Sequence, residues 1–397
     1  MKAIDVFFSI FFCVYIYWPS LMFAIVKDKG INVEGGLMET ILSVVFVISV
    51  LFFFFYRKNK YDFRIISILI LFGGLYYITQ FFYSSGNFQG YRGQFLRWGA
   101  DCVSACLIGA TLMKLKSYKL VHKLMPLLAI ALTPLFVKST MENAVHYGQM
   151  HLEGGMNYQT VAYTLAVMFC ISMYYAFVNK EFTNKVISFA LLLCLPLQAV
   201  ACCMSGGRGG VVLLVVYVVF MLYIMQHNKI VSRKMVLLIA LLGFLVFLVV
   251  ANYLGLWNSA GFNRSSGLIT SQDRFDFWKE IWVYVENNNY IGYGLGGDYF
   301  TFGFYTHNIL LDFILETGII GCVVLVVIFC IVYRNVFDKC GLNDIFILLS
   351  IIGIYGIVMN MFSGYWITTY AHWMILGASM TCKKVIRCRS VYILPKR

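Results

Sequence analysis

Read along the chain, apolar positions form long uninterrupted runs, and polar positions collect in the stretches between them. The runs lie at about 4–26, 37–56, 65–83, 95–113, 124–137, 158–178, 186–204, 211–226, 235–256, 308–333, 345–362 and 365–381. Most supply the roughly 20 residues that a helix needs to cross a ~30 Å hydrocarbon layer. The fifth and twelfth are shorter, and an earlier start for their helices stays open. Segments of about ten alternating residues, the mark of a transmembrane barrel, are not the dominant pattern. The pattern predicts an all-α fold, a polytopic transmembrane helical bundle of about 12 spans. We treat residues 1–397 as a single membrane domain.

Composition points the same way. Apolar residues make up 61% of the chain and charged residues only 12%, about half the charged fraction of ordinary soluble domains. A water-soluble fold of 397 residues has too little interior to hide that surface. The net charge of +13 raises nucleic acid as a partner, but lysine and arginine also gather in the cytoplasmic loops of membrane proteins. With the N-terminus inside, 22 of the 31 Lys and Arg residues fall in inner segments and nine in outer ones. This sorting predicts both termini in the cytoplasm and no nucleic-acid partner. None of the twelve cysteines forms a CxxC pair, so packed thiols fit better than a zinc site, and no metal or other cofactor is expected. The first apolar run reaches span length without an obvious small-residue cleavage site, so we expect it to be retained.

Two outer segments are longer than a turn requires. One, 138–157, holds Glu142, His146, His151 and Glu153; the other, 257–307 between the ninth and tenth spans, holds most of the polar variety. Long loops on a tightly connected scaffold often carry function. Three groups of residues there can carry chemistry.

Ser205-Gly206-Gly207-Arg208-Gly209-Gly210 joins two consecutive spans. A guanidinium offers a planar fork of donors to phosphate oxygens, and glycines let backbone N–H groups approach an anion. A tight hairpin with one snorkelling arginine is the alternative. In the long loop, Thr270 or Ser271 can cap a helix running through Val285, with Phe275, Trp278, Trp282 and Val285 on one apolar face suited to the membrane surface. Arg274 then sits in its first turn, where a cation opposes the helix dipole and a bound anion resolves the conflict; pairing with Asp273 or Asp276 is the alternative. His307-Asn308 opens the tenth span after a glycine-rich stretch containing Gly292, Gly294, Gly296, Gly297 and Asp298. An imidazole there can take a proton from a hydroxyl, or serve only as an interfacial anchor.

Asp312 and Glu316 share one face of the tenth helix, and Asp101 is buried by its position in the fourth. Bonds that hold the bundle together account for these acids as well as catalysis does, and none is assigned as a base.

At these residues the chain resembles the bacterial O-antigen polymerase (Wzy) and O-antigen ligase (WaaL) family. The resemblance rests on Ser205 to Gly210, Arg274 with Trp278, Gly292-Tyr293-Gly294-Leu295-Gly296, and His307-Asn308 with Gly318 and Gly321. It covers roughly residues 200–325. Relatives commonly place Ser directly before the arginine, where two glycines intervene here. Many also carry a proline before the glycine-rich segment, where Asn289-Tyr290-Ile291 stands.

The resemblance implies a metal-independent glycosyltransferase on the periplasmic face of the bacterial inner membrane. Its donor would be an undecaprenyl-pyrophosphate-linked glycan and its acceptor a sugar hydroxyl. His307, Arg274 and Arg208 would be catalytic, with Arg264, Asn308 and Tyr158 binding substrate. The Gly154-Gly155-Met156-Asn157-Tyr158 stretch is closer to polymerases, so joining repeat units is the first expectation and transfer to lipid A core the second. A chain-length regulator is a possible partner. A lipid-linked oligosaccharide flippase is the reading from another class, although transporters favour midplane charges over polar residues gathered at one face.

Overall fold

The structure, a computed structural model, describes residues 3–17, 35–56, 62–83, 98–143, 151–152, 156–179, 181–228, 230, 232–259, 262, 272–297, 305–339 and 344–390, some of them as backbone alone. Helices dominate. They are α1 (Ala3–Ile16), α2 (Gly35–Tyr56), α3 (Asp62–Tyr83), α4 (Ser104–Leu112, entered through a π-helical turn at Gly99–Val103) and α5 (Lys119–Asn143). Next come α6 (Tyr158–Met173, leaving through a π-helical turn at Tyr174–Val178), α7 (Lys185–Met204), α8 (Arg208–His227) and α9 (Arg233–Tyr253). The chain continues with α10 (Gln272–Asn287), α11 (Ile309–Lys339), α12 (Asp344–Phe362) and α13 (Tyr370–Ser390). A two-residue antiparallel pair, β1 (His151–Leu152) with β2 (Met156–Asn157), precedes α6.

A helix falls on every run that the hydrophobic pattern marks, and α10 is a further helix described in the long polar segment. Among the described residues, α5, α6, α7, α8, α11 and α12 are both long and apolar enough to cross a membrane. The chain is therefore a multi-pass helical membrane protein. The fifth run, which looked short, belongs to a 25-residue helix that passes through Pro126 and Pro134. Membrane helices accommodate proline because neighbouring groups satisfy the freed carbonyls.

The chain divides into two compact units. The first comprises residues 1–33 and 116–270 and the second residues 34–115 and 271–397. In the first unit, the Gln198 side-chain amide on α7 donates to Thr133 Oγ1 of α5 (2.7 Å) and to Ser172 Oγ of α6 (3.1 Å). One side chain thus ties three helices together. Helices α6 and α8 approach closely because Gly207 and Gly210 face Ala162; a Cβ on Gly207 would come within 2.5 Å of the alanine methyl. Small residues at such crossings let backbones meet where lipid gives no hydrophobic drive.

The second unit uses the same device where Gly109 of α4 meets the Met374 carbonyl and Gly377 of α13 meets that of Cys106. Its distinguishing feature is α11, which is broken at Gly318 (φ 70, ψ −178). The break frees backbone groups that the segment after α10 captures. Tyr293 N donates to Leu315 O (2.8 Å), Gly294 N to Glu316 O (2.7 Å), and Ile319 N to Tyr290 O (3.2 Å). Buried backbone groups need such partners. On the far side, α10 seats Ile281 and Val285 against Leu315 of α11, with Phe277 and Trp278 packed around them. Trp282, expected on the same face, is 39% exposed. The 278–281–285 spacing follows the helical stripe better, so Ile281 takes the place foreseen for Trp282.

Candidate active site

The turn that carries His307 is built from its neighbours. Asn308 caps α11 by accepting the N–H groups of Leu310 (3.0 Å) and Leu311 (3.3 Å) on Oδ1, as a good N-cap residue does. Before it, Thr306 donates both its backbone N–H (3.0 Å) and its hydroxyl (2.6 Å) to Oδ1 of Asp312, while its own Oγ1 accepts from Asn308 N (3.2 Å). Its carbonyl accepts from the indole N–H of Trp278 at 3.3 Å. Fixed on both sides, His307 holds a left-handed backbone (φ 60), which is uncommon for a residue with a side chain and recurs at functional sites.

The ring is fixed as well. Its Nδ1 lies 3.2 Å from the Ser363 carbonyl. A carbonyl only accepts, so Nδ1 carries the proton and Nε2 is the basic nitrogen of the neutral ring. Tyr305 packs edge-on to the imidazole at 4.5 Å and stacks on Tyr365 at 5.7 Å.

Tyr365 leads to Glu316, which is 1% exposed. Its Oε1 accepts the Tyr365 hydroxyl and the Gly296 N–H (3.0 Å), and its Oε2 accepts the Trp366 indole N–H (2.9 Å). The carboxylate therefore joins the glycine-rich segment to the turn between α12 and α13. That turn is anchored from behind by a directed chain. Thr369 Oγ1 donates to Asn360 Oδ1 (2.7 Å), Asn360 Nδ2 to His372 Nε2, His372 Nδ1 to the Tyr333 hydroxyl (2.9 Å), and that hydroxyl to the Gly353 carbonyl (3.2 Å). The sequence reading missed Ser363, Tyr365, Trp366 and His372. The cluster Ser363-Gly364-Tyr365-Trp366 between two apolar runs was the available signal.

Arg274 is the third residue of α10, one helical turn before Trp278. Its helix and the histidine turn are thus joined through the Trp278–Thr306 bond. The structure describes its backbone alone. Arg264, the Thr270 or Ser271 cap, His146, Glu153 and Asp298 lie outside the described residues, as do the side chains of Glu142 and His151.

Arg208 and Tyr158 lie in the first unit, each as the opening residue of its helix and each partly exposed. Their helices meet at this end, because a Cβ on Gly207 would also come within 3.2 Å of the Tyr158 carbonyl. Two glycines expected to admit an anion, Gly207 and Gly210, thus serve helix packing. Ser205 is buried and its hydroxyl donates to Cys202 O at 2.7 Å. No side-chain hydrogen bond caps α8 at Gly207. Asp101, expected to be buried, is partly exposed on the π-helical turn, where the longer repeat rotates it relative to an α-helical register. No group of three or more potential metal ligands occurs among the described residues.

Residues 187–326 match the family model described as O-antigen ligase. No curated protein and no solved structure matches the chain. The matched region runs from α7 through the first part of α11 and contains Arg208, Arg274, His307, Asp312 and Glu316. Over residues 187–326 the chain is therefore similar to the family described as O-antigen ligase, in agreement with the resemblance its motif order carries.

Proposed function

We propose that this chain is a membrane glycosyltransferase that polymerises undecaprenyl-pyrophosphate-linked oligosaccharide repeat units into an O-antigen or similar surface polysaccharide. The observation that carries this reading is the orientation of His307, whose Nδ1–H is committed to the Ser363 carbonyl. That leaves Nε2 as the nitrogen that accepts the proton of an attacking sugar hydroxyl.

In the proposed reaction, the acceptor oxygen attacks the anomeric carbon of the donor. A glycosidic bond forms as the bond to the lipid pyrophosphate breaks, and the hydroxyl proton passes to His307. Charge builds on the departing pyrophosphate, where Arg274 and Arg208 stabilise it more in the transition state than in the ground state. Asn308, Tyr158 and Arg264 are assigned to substrate binding. The donor already stores the energy, so the reaction needs no nucleotide. We place all 397 residues in one polytopic domain of about 12 spans in the inner membrane, with both termini cytoplasmic and the reaction on the periplasmic face.

The description of the matched family favours a second reading, transfer of finished glycan to lipid A core. The transporter reading has no comparable support. Deletion of the gene separates the two transferases on a polysaccharide gel. Loss of a polymerase leaves a single repeat on core, and loss of a ligase leaves bare core. Polysaccharide of normal amount and length in the deletion strain would reject both.

A further inference from the structure

Two carboxylates stand one helical turn apart in α11, at 0% and 1% exposure. Like charges at that spacing repel, and burial makes both costly. Each accepts hydrogen bonds from neutral donors. Asp312 takes both donors of Thr306 on one oxygen, Oδ1. Glu316 uses both oxygens, with Oε1 on Gly296 N and the Tyr365 hydroxyl and Oε2 on the Trp366 indole. The groups they hold lie on opposite sides of one residue. Thr306 precedes His307 and fixes its left-handed turn. Tyr365 and Trp366 follow Ser363, whose carbonyl accepts a hydrogen bond from His307 Nδ1–H.

We propose that Asp312 and Glu316 are positioning residues for His307, the first setting its backbone and the second setting its ring. This rests on the reading of His307 as the group that accepts the acceptor's proton. The carboxylates act as hydrogen-bond acceptors and carry no proton in the reaction. That assignment explains why two acids persist on one buried helical face, and it makes an unequal prediction for their neutral isosteres. Asparagine at 312 keeps an oxygen for both donors of Thr306. Glutamine at 316 keeps one of the two that Glu316 uses and turns an NH2 toward another donor.

The test uses the full-length protein, purified in detergent, with undecaprenyl-pyrophosphate oligosaccharide extracted from the deletion strain as donor and acceptor. Asp312→Ala and Glu316→Ala are expected to lower kcat about a hundredfold, the scale of a misplaced catalytic group, with KM changed by less than about threefold. Asp312→Asn is expected to restore kcat to within about threefold of wild type. Glu316→Gln stays about tenfold down, as loss of one buried hydrogen bond implies.

If an alanine variant fails to accumulate, Thr306→Val and Trp366→Phe carry the test. Each removes one donor and is expected to lower kcat severalfold at constant KM. Asn and Gln variants as inactive as the alanines, at normal abundance, would overturn the proposal by showing that the charges or protons matter. Wild-type kcat in both alanine variants, or in Thr306→Val and Trp366→Phe, would overturn it too. His307→Ala is run alongside. Full activity there rejects the reading of His307 itself, whereas loss there with unaffected acid variants rejects only the positioning role.

Discussion

Gly292 and Gly318 lie back to back. A methyl group on Gly292 would overlap the Gly318 nitrogen and come within 2.7 Å of the Glu316 carbonyl, and one on Gly318 would come within 2.5 Å of the Ile291 carbonyl. Both residues also hold positive φ, at 89° and 70°. The glycine-rich segment therefore docks into the helix break only if neither position has a side chain. Gly292→Ala and Gly318→Ala are each expected to lower the thermal midpoint by several degrees and to cut glycan output sharply. Gly74 of α3 faces open space, so Gly74→Ala should stay within about 0.5 kcal/mol of wild type. Equal tolerance at all three positions would refute this docking.

A guanidinium and an ammonium differ in what they present to a pyrophosphate, a rigid fork against a point charge. Arg208→Ala and Arg274→Ala are expected to abolish product while the protein still inserts. Lysine at either position should keep less than about a tenth of the rate. Product on a polysaccharide gel, normalised to protein in the membrane, reads this directly. Normal output from both alanine variants would remove the arginines from the mechanism.

The chain from Thr369 to Gly353 is directed throughout, so removing Asn360 leaves the buried His372 nitrogen unsatisfied. Asn360→Leu deprives His372 Nε2 of its donor, while the Thr369 hydroxyl keeps the Tyr365 carbonyl as an acceptor at 2.8 Å. A cost of about 1–3 kcal/mol is expected, measurable by unfolding in detergent. Glycan output should fall with it, because Thr369 closes the turn that holds Ser363. An unchanged midpoint would mean the chain carries no stability.

Gln198 gives the opposite expectation. Its Oε1 is buried with no hydrogen-bond partner among the described residues, and Thr133 already donates its hydroxyl to Ala129 O at 2.7 Å. Gln198→Met removes an unsatisfied acceptor and keeps the shape, so stability should remain within about 0.5 kcal/mol or rise. A loss well beyond that would show that the two bonds made by its amide outweigh the buried oxygen.

The helices were legible because a lipid environment writes itself as continuous apolar length, and a helix stands on each such run down to the shortest. The helix of the polar loop was legible too, since Trp278 and Val285 mark its buried stripe at helical spacing. What periodicity does not encode is partner choice. Asp312 and Glu316 announce themselves as expensive, yet nothing local says that one holds Thr306 while the other holds Tyr365 and Trp366, 49 and 50 residues away. The glycines of the 206–210 stretch show the converse. A phosphate cradle and a close helix crossing both call for the missing side chain, and only the Ala162 contact reveals that Gly207 and Gly210 serve the crossing.

The interruption at Gly318 also partitions α11 by solvent. From Ile319 to Val336 the helix rises roughly 27 Å, close to the thickness of the hydrocarbon layer. This portion presents Ile320, Val323, Val327 and Ile331 outward, with Ile320 82% exposed. It can satisfy the bilayer unaided. In the preceding turns, Asp312, Phe313, Leu315 and Glu316 are all shielded by protein. The element thus joins a stretch long enough to cross a bilayer to a segment whose two acids are enclosed by protein.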